Sequence, residues 1–217
     1  MKSSLFWRIC SLLLLFLLII STASSLADSM LLGTWEQDGD TSNGREPIEW
    51  LILDEKDGSL FLLSRYALDC QRYNLKYNNN TTYETSTVRT FLNETFYGSA
   101  FSEEEKDRIL LTLNQQPRKR NYKSKSGNDT EDYVFLLSFE ELETYLPTKK
   151  DRICEPTPYT KAQGVRVKRG ACPWWLRTPG QKQHHACTVT IDGGYYDYFD
   201  ISCPTNGIRP ALWVRKE

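Results

Sequence analysis

The sequence predicts an α+β fold with two β-hairpins, short helices and long loops, and three local patterns carry that expectation. Residues 48–53 and 59–66 are apolar, strand-forming runs joined by Asp54-Glu55-Lys56-Asp57-Gly58, a turn whose glycine tolerates positive φ. Residues 188–191 and 195–199 repeat the arrangement around Asp192-Gly193-Gly194. Between the hairpins, Ser102 with Glu105 and Ser138 with Glu141 have the spacing of capping boxes, so each opens a helix.

The remaining elements fit around these. Residues 31–36 read as a first short strand, and the polar, glycine-containing stretch 38–45 as a loop. The Asn-rich stretch 73–83 is a second loop. Thr85 or Thr87 then caps a helix whose Val88, Phe91, Leu92 and Phe96 make one buried face. The helix opened by Ser102 is expected to run into Ile109-Leu110-Leu111. Residues 115–132 are polar and basic, with Arg118-Lys119-Arg120, Lys123 and Lys125, and read as a solvated excursion. Residues 133–137 read as a strand, and Pro147 stops the helix opened by Ser138. Residues 157–164 suit another short helix, 174–177 a strand, and 208–214 a closing strand. No period of 20–50 residues recurs, which excludes a solenoid.

The N-terminus carries a secretory pattern. Lys2 and Arg8 precede the apolar run 9–20, which is followed by Ser21-Thr22-Ala23 and Ser25-Leu26-Ala27. That apolar run is shorter than the roughly 20 residues that span a bilayer. Residues 1–27 are therefore expected to be a signal peptide cleaved after Ala27. Residues 28–217 are then a single extracytoplasmic domain, secreted or held at the cell envelope. The alternative is an uncleaved signal anchor, the one route to a membrane. Cys10 lies inside the apolar run rather than at the cleavage site, which argues against a lipoprotein.

The whole chain is 217 residues, 40% hydrophobic and 25% charged, with a net charge of −1. That balance suits one ordinary globular domain and gives no pull toward nucleic acid. Of six cysteines, five follow the signal: Cys70, Cys154, Cys172, Cys187 and Cys203. Export permits disulfides, and an odd count leaves one thiol over.

A resemblance enters through the tail. Trp174-Trp175-Leu176-Arg177-Thr178-Pro179-Gly180, then Asp192-Gly193-Gly194, then Gly207-Ile208-Arg209-Pro210-Ala211-Leu212-Trp213 resemble the bacterial domain-of-unknown-function family 6273. Upstream, Pro47-Ile48-Glu49-Trp50, Ser64-Arg65-Tyr66-Ala67-Leu68-Asp69-Cys70 and Val88-Arg89 with Phe91-Leu92-Asn93 agree with it. So do Phe96-Tyr97, Phe101-Ser102 and Val134-Phe135-Leu136-Leu137-Ser138. The likeness covers about residues 31–215. The Trp-rich tail and Gly-x-Arg-Pro ending are in turn similar to C-type lectin-like domains of the sulfatase-modifying-factor kind. The resemblance thus implies a C-type lectin-like single domain, and it implies no activity, since fold does not carry function. The family pattern contains Cys70, so Cys70 is expected to be the buried, unpaired thiol. Cys154, Cys172, Cys187 and Cys203 look additional, with Cys154–Cys172 and Cys187–Cys203 the favoured disulfides.

The candidate chemistry is sparse. His184 and His185 are the only histidines, and no Cys-x-x-Cys or His-x-x-x-His spacing accompanies them, so no metal or other cofactor is assigned. Cys172 or Cys187 with His184 has the residue types of a nucleophile and its base, but disulfide bonding is the simpler reading. Asp192, Asp197 and Asp200 flank the second hairpin, where turn chemistry explains them. No residue is assigned a catalytic role. Arg177 and Arg209 interrupt apolar strands and so need partners, for example Glu49 or Asp69, or else form an anion-binding fork. Alternation places Tyr196 and Tyr198 on one face of their strand and Tyr195 with Phe199 on the other. With Trp174 and Trp175 these rings are the best candidate for a ligand surface. The expected ligand set is Trp174, Trp175, Arg177, Tyr196, Tyr198 and Arg209, and the expected partner a glycan or an envelope protein. A binding or scaffold module is the leading expectation, and an enzyme using the Cys, His and Asp residues of the C-terminal third is its alternative. Sequons at Asn79, Asn80, Asn93 and Asn128 read as chance in Asn-rich loops.

Overall fold

The strong strand and its return pair as expected. β2 (Glu46–Lys56) and β3 (Ser59–Ser64) form the first hairpin, and Asp57 and Gly58 both take positive φ, 50° and 72°. Two left-handed residues are what a two-residue turn needs to match strand twist. The computed structural model describes residues 28–116 and 122–216. The expected signal peptide with Cys10, and Arg118-Lys119-Arg120, lie outside the described residues. No helix among the described residues is long and apolar enough to cross a membrane.

The architecture is α+β. β1 (Ser29–Trp35) and β11 (Ala211–Arg215) flank the hairpin to give an antiparallel sheet in the order β1-β2-β3-β11. Every residue of β3 is buried, because the sheet is covered on both faces. Trp50 is fully enclosed, and its indole N–H donates to Leu32 O at 2.8 Å. β5 (Thr112–Asn114) and β6 (Thr130–Asp132) pair separately.

The second sheet runs β4-β10-β7-β8-β9. Its members are β4 (Asp69–Cys70), β10 (Gly207–Ile208), β7 (Trp174–Pro179), β8 (His185–Val189) and β9 (Tyr195–Asp200). The closing run 208–214 is not one strand. It breaks at Arg209-Pro210, so that β10 serves this sheet and β11 the first. Pro210 has no N–H for a ladder, and the chain changes sheets there. Leu68 N donates to Ile208 O and Ser64 N to Pro210 O, both at 2.9 Å, so the β3–β4 segment accompanies the tail across.

Helices pack against both sheets, Tyr97–Ala100 on β1, Phe139–Tyr145 on β7 and Pro158–Ala162 on β4. Ser86, rather than Thr85 or Thr87, caps the first, its hydroxyl accepting from Arg89 N. The helix continues from Thr87–Thr90 through a π-helical turn, Phe91–Phe96, into Tyr97–Ala100. Val88, Leu92 and Phe96 are buried as the periodicity requires, and Phe91 is partly covered. Both expected capping boxes form, at Ser102/Glu105 and Ser138/Glu141, and Thr148/Asp151 adds a third. The Glu103–Arg108 helix stops before Ile109, because Ile109 bridges Val214 instead. Pro158–Ala162 is the last helix.

Residues 134–137 are buried and Tyr133 partly so, but 133–137 is not a strand. Asn93, in the π-helical turn, accepts from Tyr133 N and Val134 N and donates to Val134 O, while Leu136 N donates to Tyr83 Oη. Side chains thus take most of the bonds a ladder would use, and only Phe135 bridges β11. This also commits the Asn93 sequon to the fold.

The turn of the second hairpin is tightly seated. Gly193 has φ 76°, and a Cβ there would lie 1.8 Å from Lys149 O. Gly193→Ala is expected to cost at least about 1–2 kcal/mol from the left-handed backbone, with the clash added to it. Gly58→Ala has nearly the same φ with open space around it and should lose only the first part. Equal losses in urea unfolding would contradict the close approach.

Candidate functional site

The second sheet ends in an edge strand whose alternation is broken. Thr188 pairs with Tyr196 and Ala186 with Phe199, so three steps of β9 oppose two of β8. This bulge turns Phe199 onto the face of Tyr196, and their ring centroids lie 6.4 Å apart. The simple alternation that set Phe199 opposite Tyr196 is thereby corrected. Tyr195 faces the other way and packs edge-on against Phe139.

On the Thr188–Phe199 face lies a cleft of about 550 Å³. Its floor is apolar, formed by Ile153, Ala171, Pro173 and Phe199. One wall carries Arg166, Lys168 and Arg169, and the other Thr190, Ile191 and Asp192. The three cations are exposed, and none is ion-paired among the described residues. Lys168 and Ala171 close a two-residue turn in both directions, Lys168 N to Ala171 O and the reverse. Arg169 (φ 54°) and Gly170 (φ 84°) are its left-handed central residues. Arginine in that conformation is uncommon and costs of order 1–3 kcal/mol. The turn holds its side chain at the cleft mouth. Opposite, the Thr190 hydroxyl and Gly194 N–H hold the exposed Asp192 carboxyl below its ordinary range. The wall-to-wall balance is three cations against one carboxylate. Sequence reasoning did not single out Arg166, Lys168 or Arg169, although Arg-x-Lys-Arg-Gly was a visible basic cluster on a turn.

The residues expected to contact ligand divide sharply. Trp174 and Trp175 are fully enclosed, donating to Arg152 O and Gln71 O. Arg177 is buried and bound two-pronged to Glu141, at 2.5 and 2.7 Å, not to Glu49 or Asp69. Glu49 pairs with Arg65 instead, and burial pushes the Asp69 carboxyl up to about 6. Arg209 is also buried and meets no carboxylate among the described residues. Its Nε donates to Ser64 O at 2.9 Å, its guanidinium lies 5.0 Å from the Trp174 ring, and its NH1 has no partner. Four of the six are thus interior groups. Tyr196 and Tyr198 are exposed at 37% and 47%, with ring centroids 3.7 Å apart. Tyr77, His184, His185 and Tyr198 extend the rings in a chain.

The five described cysteines are free thiols in the structure, so neither expected disulfide is closed in it. Cys187 points into the core from mid-β8 and contacts Pro179 O, while Cys203 lies beyond β9 against Thr205 Oγ1. Cys154 and Cys172 do face each other, across an antiparallel bridge. Cys70 is only half-buried, and burial together with Asp69 pushes its thiol up to about 12.

The other titratable groups serve the fold. His184 contacts Asn79 Oδ1, and burial lowers the basicity of His185. Asp197 is held by Gln181 and by the Tyr122 hydroxyl. Partial burial would raise Asp200, but the Ser202 hydroxyl and amide outweigh it and hold the carboxyl low. Glu36, Asp38 and Glu46 gather within 4.8 Å, with lone pairs already taken by the amides of Gly39, Asp40, Gln37 and Asp38.

No curated protein and no solved structure matches this chain. A family model does: residues 57–216, from the first hairpin turn to the end of β11, match the domain of unknown function DUF6273, and the chain belongs to that family.

Proposed function

We propose that the protein is an exported binding module of the cell envelope whose site is the basic cleft, and that its ligand is an acidic glycan unit. The observation that carries the reading is the wall of three cations, unpaired among the described residues, above an apolar floor. A uronate or sulfate group answers the cations through charge-assisted hydrogen bonds, best at the planar guanidinium groups. The C–H face of a sugar ring suits Phe199, with Tyr196 at the same face. The cleft volume is that of a site for one small ligand. The basic, apolar, small order of residues 1–27 supports export, and the likeness of the Trp-rich tail to C-type lectin-like domains supports a lectin-like fold.

Two measurements test this. The mature protein from its native host is expected to begin near Asp28 and to leave the cytosol. An intact Met1 in a cytosolic fraction would defeat export. Calorimetric titration with uronic-acid and sulfated oligosaccharides is expected to show binding that the neutral oligosaccharides lack. Arg169→Glu should weaken it about tenfold or more, which is about 1.4 kcal/mol, while leaving stability within about 0.5 kcal/mol, as an exposed substitution does. Equal binding of neutral sugars, or an unaffected Arg169→Glu variant, would overturn the site.

A further inference from the structure

Beneath the cleft lies chemistry that sugar binding does not use. Ile153, Ala171 and Pro173 in the cleft floor are the immediate chain neighbours of Cys154 and Cys172. The two cysteines are cross-strand partners, with Cys172 N donating to Cys154 O at 2.9 Å, and both are buried. Cys172 Sγ also lies 3.4 Å from where a Cβ on Gly207 would stand, two residues before Arg209. A Cβ at Gly207 would clash with Ala67 Cβ at 2.8 Å and only touch this sulfur, so Cys172 Sγ packs directly against Gly207.

Arg209 is the second, independent observation. It is 1% exposed, its NH1 is buried without a partner, and no carboxylate among the described residues neutralises it. An isolated buried guanidinium costs several kcal/mol unless a negative group compensates it. The charged and titratable groups that act on this cluster are Cys154, Cys172 and Arg209 themselves, with Arg65, Glu155 and Cys70 around them. Of these, the two thiols are the groups that can supply a negative charge to the interior of the cluster.

We propose that Cys154 and Cys172 are a redox-active pair that closes reversibly into a disulfide, with Arg209 as the charge that stabilises its reduced, thiolate form. The roles within the pair follow from their surroundings. Burial opposes ionisation of Cys154. The hydrogen bond from Cys172, the positive charge of Arg209 and the Ala67 N–H outweigh it, and the Cys154 thiol lies below its ordinary range. Cys172, the donor in that bond, is held above its own range, with burial adding to the effect. Cys154 is the nucleophile and Cys172 the resolving thiol.

The exchange partner is a low-molecular-weight disulfide, R–S–S–R. The Cys154 thiolate attacks one of its sulfurs, forming Cys154–S–S–R and releasing R–S⁻, which takes up a proton. Cys172 then loses its proton to that solvent pool and attacks Cys154 Sγ, forming the Cys154–Cys172 bond and releasing the second R–S⁻. Two protein thiols are oxidised and one external disulfide is reduced to two thiols. Closure removes the negative charge beside Arg209, so the disulfide is the less stabilised state and readily gives up its oxidising equivalents. The same logic makes a strong oxidant of any dithiol whose reduced form is favoured. Nothing in this depends on what the cleft binds.

The test equilibrates the full mature protein in glutathione buffers of varied ratio, quenches with acid, alkylates and maps the cysteines by mass. The expected result is a Cys154–Cys172 disulfide that forms and reverses with the buffer. Arg209→Met should shift the equilibrium at least tenfold toward the disulfide, about 30 mV toward a more reducing potential, and Arg209→Lys should stay within a few-fold of the parent. Should Arg209→Met fail to fold, far-ultraviolet thiolate absorbance of the reduced protein decides. It should rise at lower pH than that of an ordinary free thiol, be kept in Cys172→Ser and be lost in Cys154→Ser. The proposal is overturned if no Cys154–Cys172 disulfide forms at any ratio, if a folded Arg209→Met leaves the equilibrium unmoved, or if the thiolate signal rises no lower in pH than that of a free thiol.

Discussion

Arg177→Ala is expected to lower unfolding free energy by about 3 kcal/mol, the lower part of the range for breaking a buried pair, because Glu141 remains partly in water. Arg177 does more than pair with Glu141. Its NH1 also donates to Leu136 O at 2.7 Å, its guanidinium covers the Phe135 ring at 5.5 Å, and its own backbone N–H donates to Leu137 O. It is therefore the latch between β7 and the 133–137 segment, whose remaining bonds go mainly to the side chains of Asn93 and Tyr83. Removing it strips a carbonyl and a carboxylate of their donors at once. Urea unfolding measures the loss. A change under about 1 kcal/mol would show that water or rearrangement replaces the latch.

Trp174→Ala is expected to cost about 3–5 kcal/mol, on the order of 10 °C in Tm for a chain of this size. The ring is fully buried at the centre of the second sheet, where Trp174 registers with Gly207 of β10 on one side and Val189 of β8 on the other. Its loss leaves a cavity, frees Arg152 O from the indole N–H and removes the ring beside Arg209. Trp174→Phe keeps a ring and loses the donor, so it should cost about 1–3 kcal/mol. Thermal unfolding distinguishes them. Equal costs for the two substitutions would mean that the hydrogen bond, not the packing, carries the effect.

The parts legible in the sequence are those set by local chemistry. Asp57-Gly58 and both serine-glutamate boxes formed because each depends on residues within a few positions of one another. Where distant groups compete, the local reading failed. The tail changes sheets at Arg209-Pro210 because β4 and β7 on one side and β3 on the other offer separate partners. Residues 133–137 have strand composition, yet Asn93, 40 residues earlier, takes the Tyr133 amide. The bulge that brings Phe199 to the cleft has no glycine or proline to announce it. The apolar setting of Arg177 and Arg209 marked them as needing partners, but it did not give those partners, and Trp174, read as a ligand-surface ring, is instead fully buried. Glu141 was already visible as a helix cap, and that role concealed its second one. The cleft cations went unnoticed because only the turn geometry at Arg169-Gly170, together with the returning strand β9, sets them over an apolar floor.

The central claim is that the cleft between the 166–171 turn and β8–β9 is where this protein meets its ligand. Backbone amide shifts of the isotopically labelled mature protein, followed during titration with a uronic-acid oligosaccharide, test it most directly. The account predicts saturable shifts centred on Arg166 to Ala171, Thr188, Thr190 and Phe199, with Trp175 and Arg177 little changed. Shifts confined to Tyr77, His184 and Tyr198 would place binding on the exposed ring chain instead, and a saturating titration with no shifts at the cleft would contradict the claim.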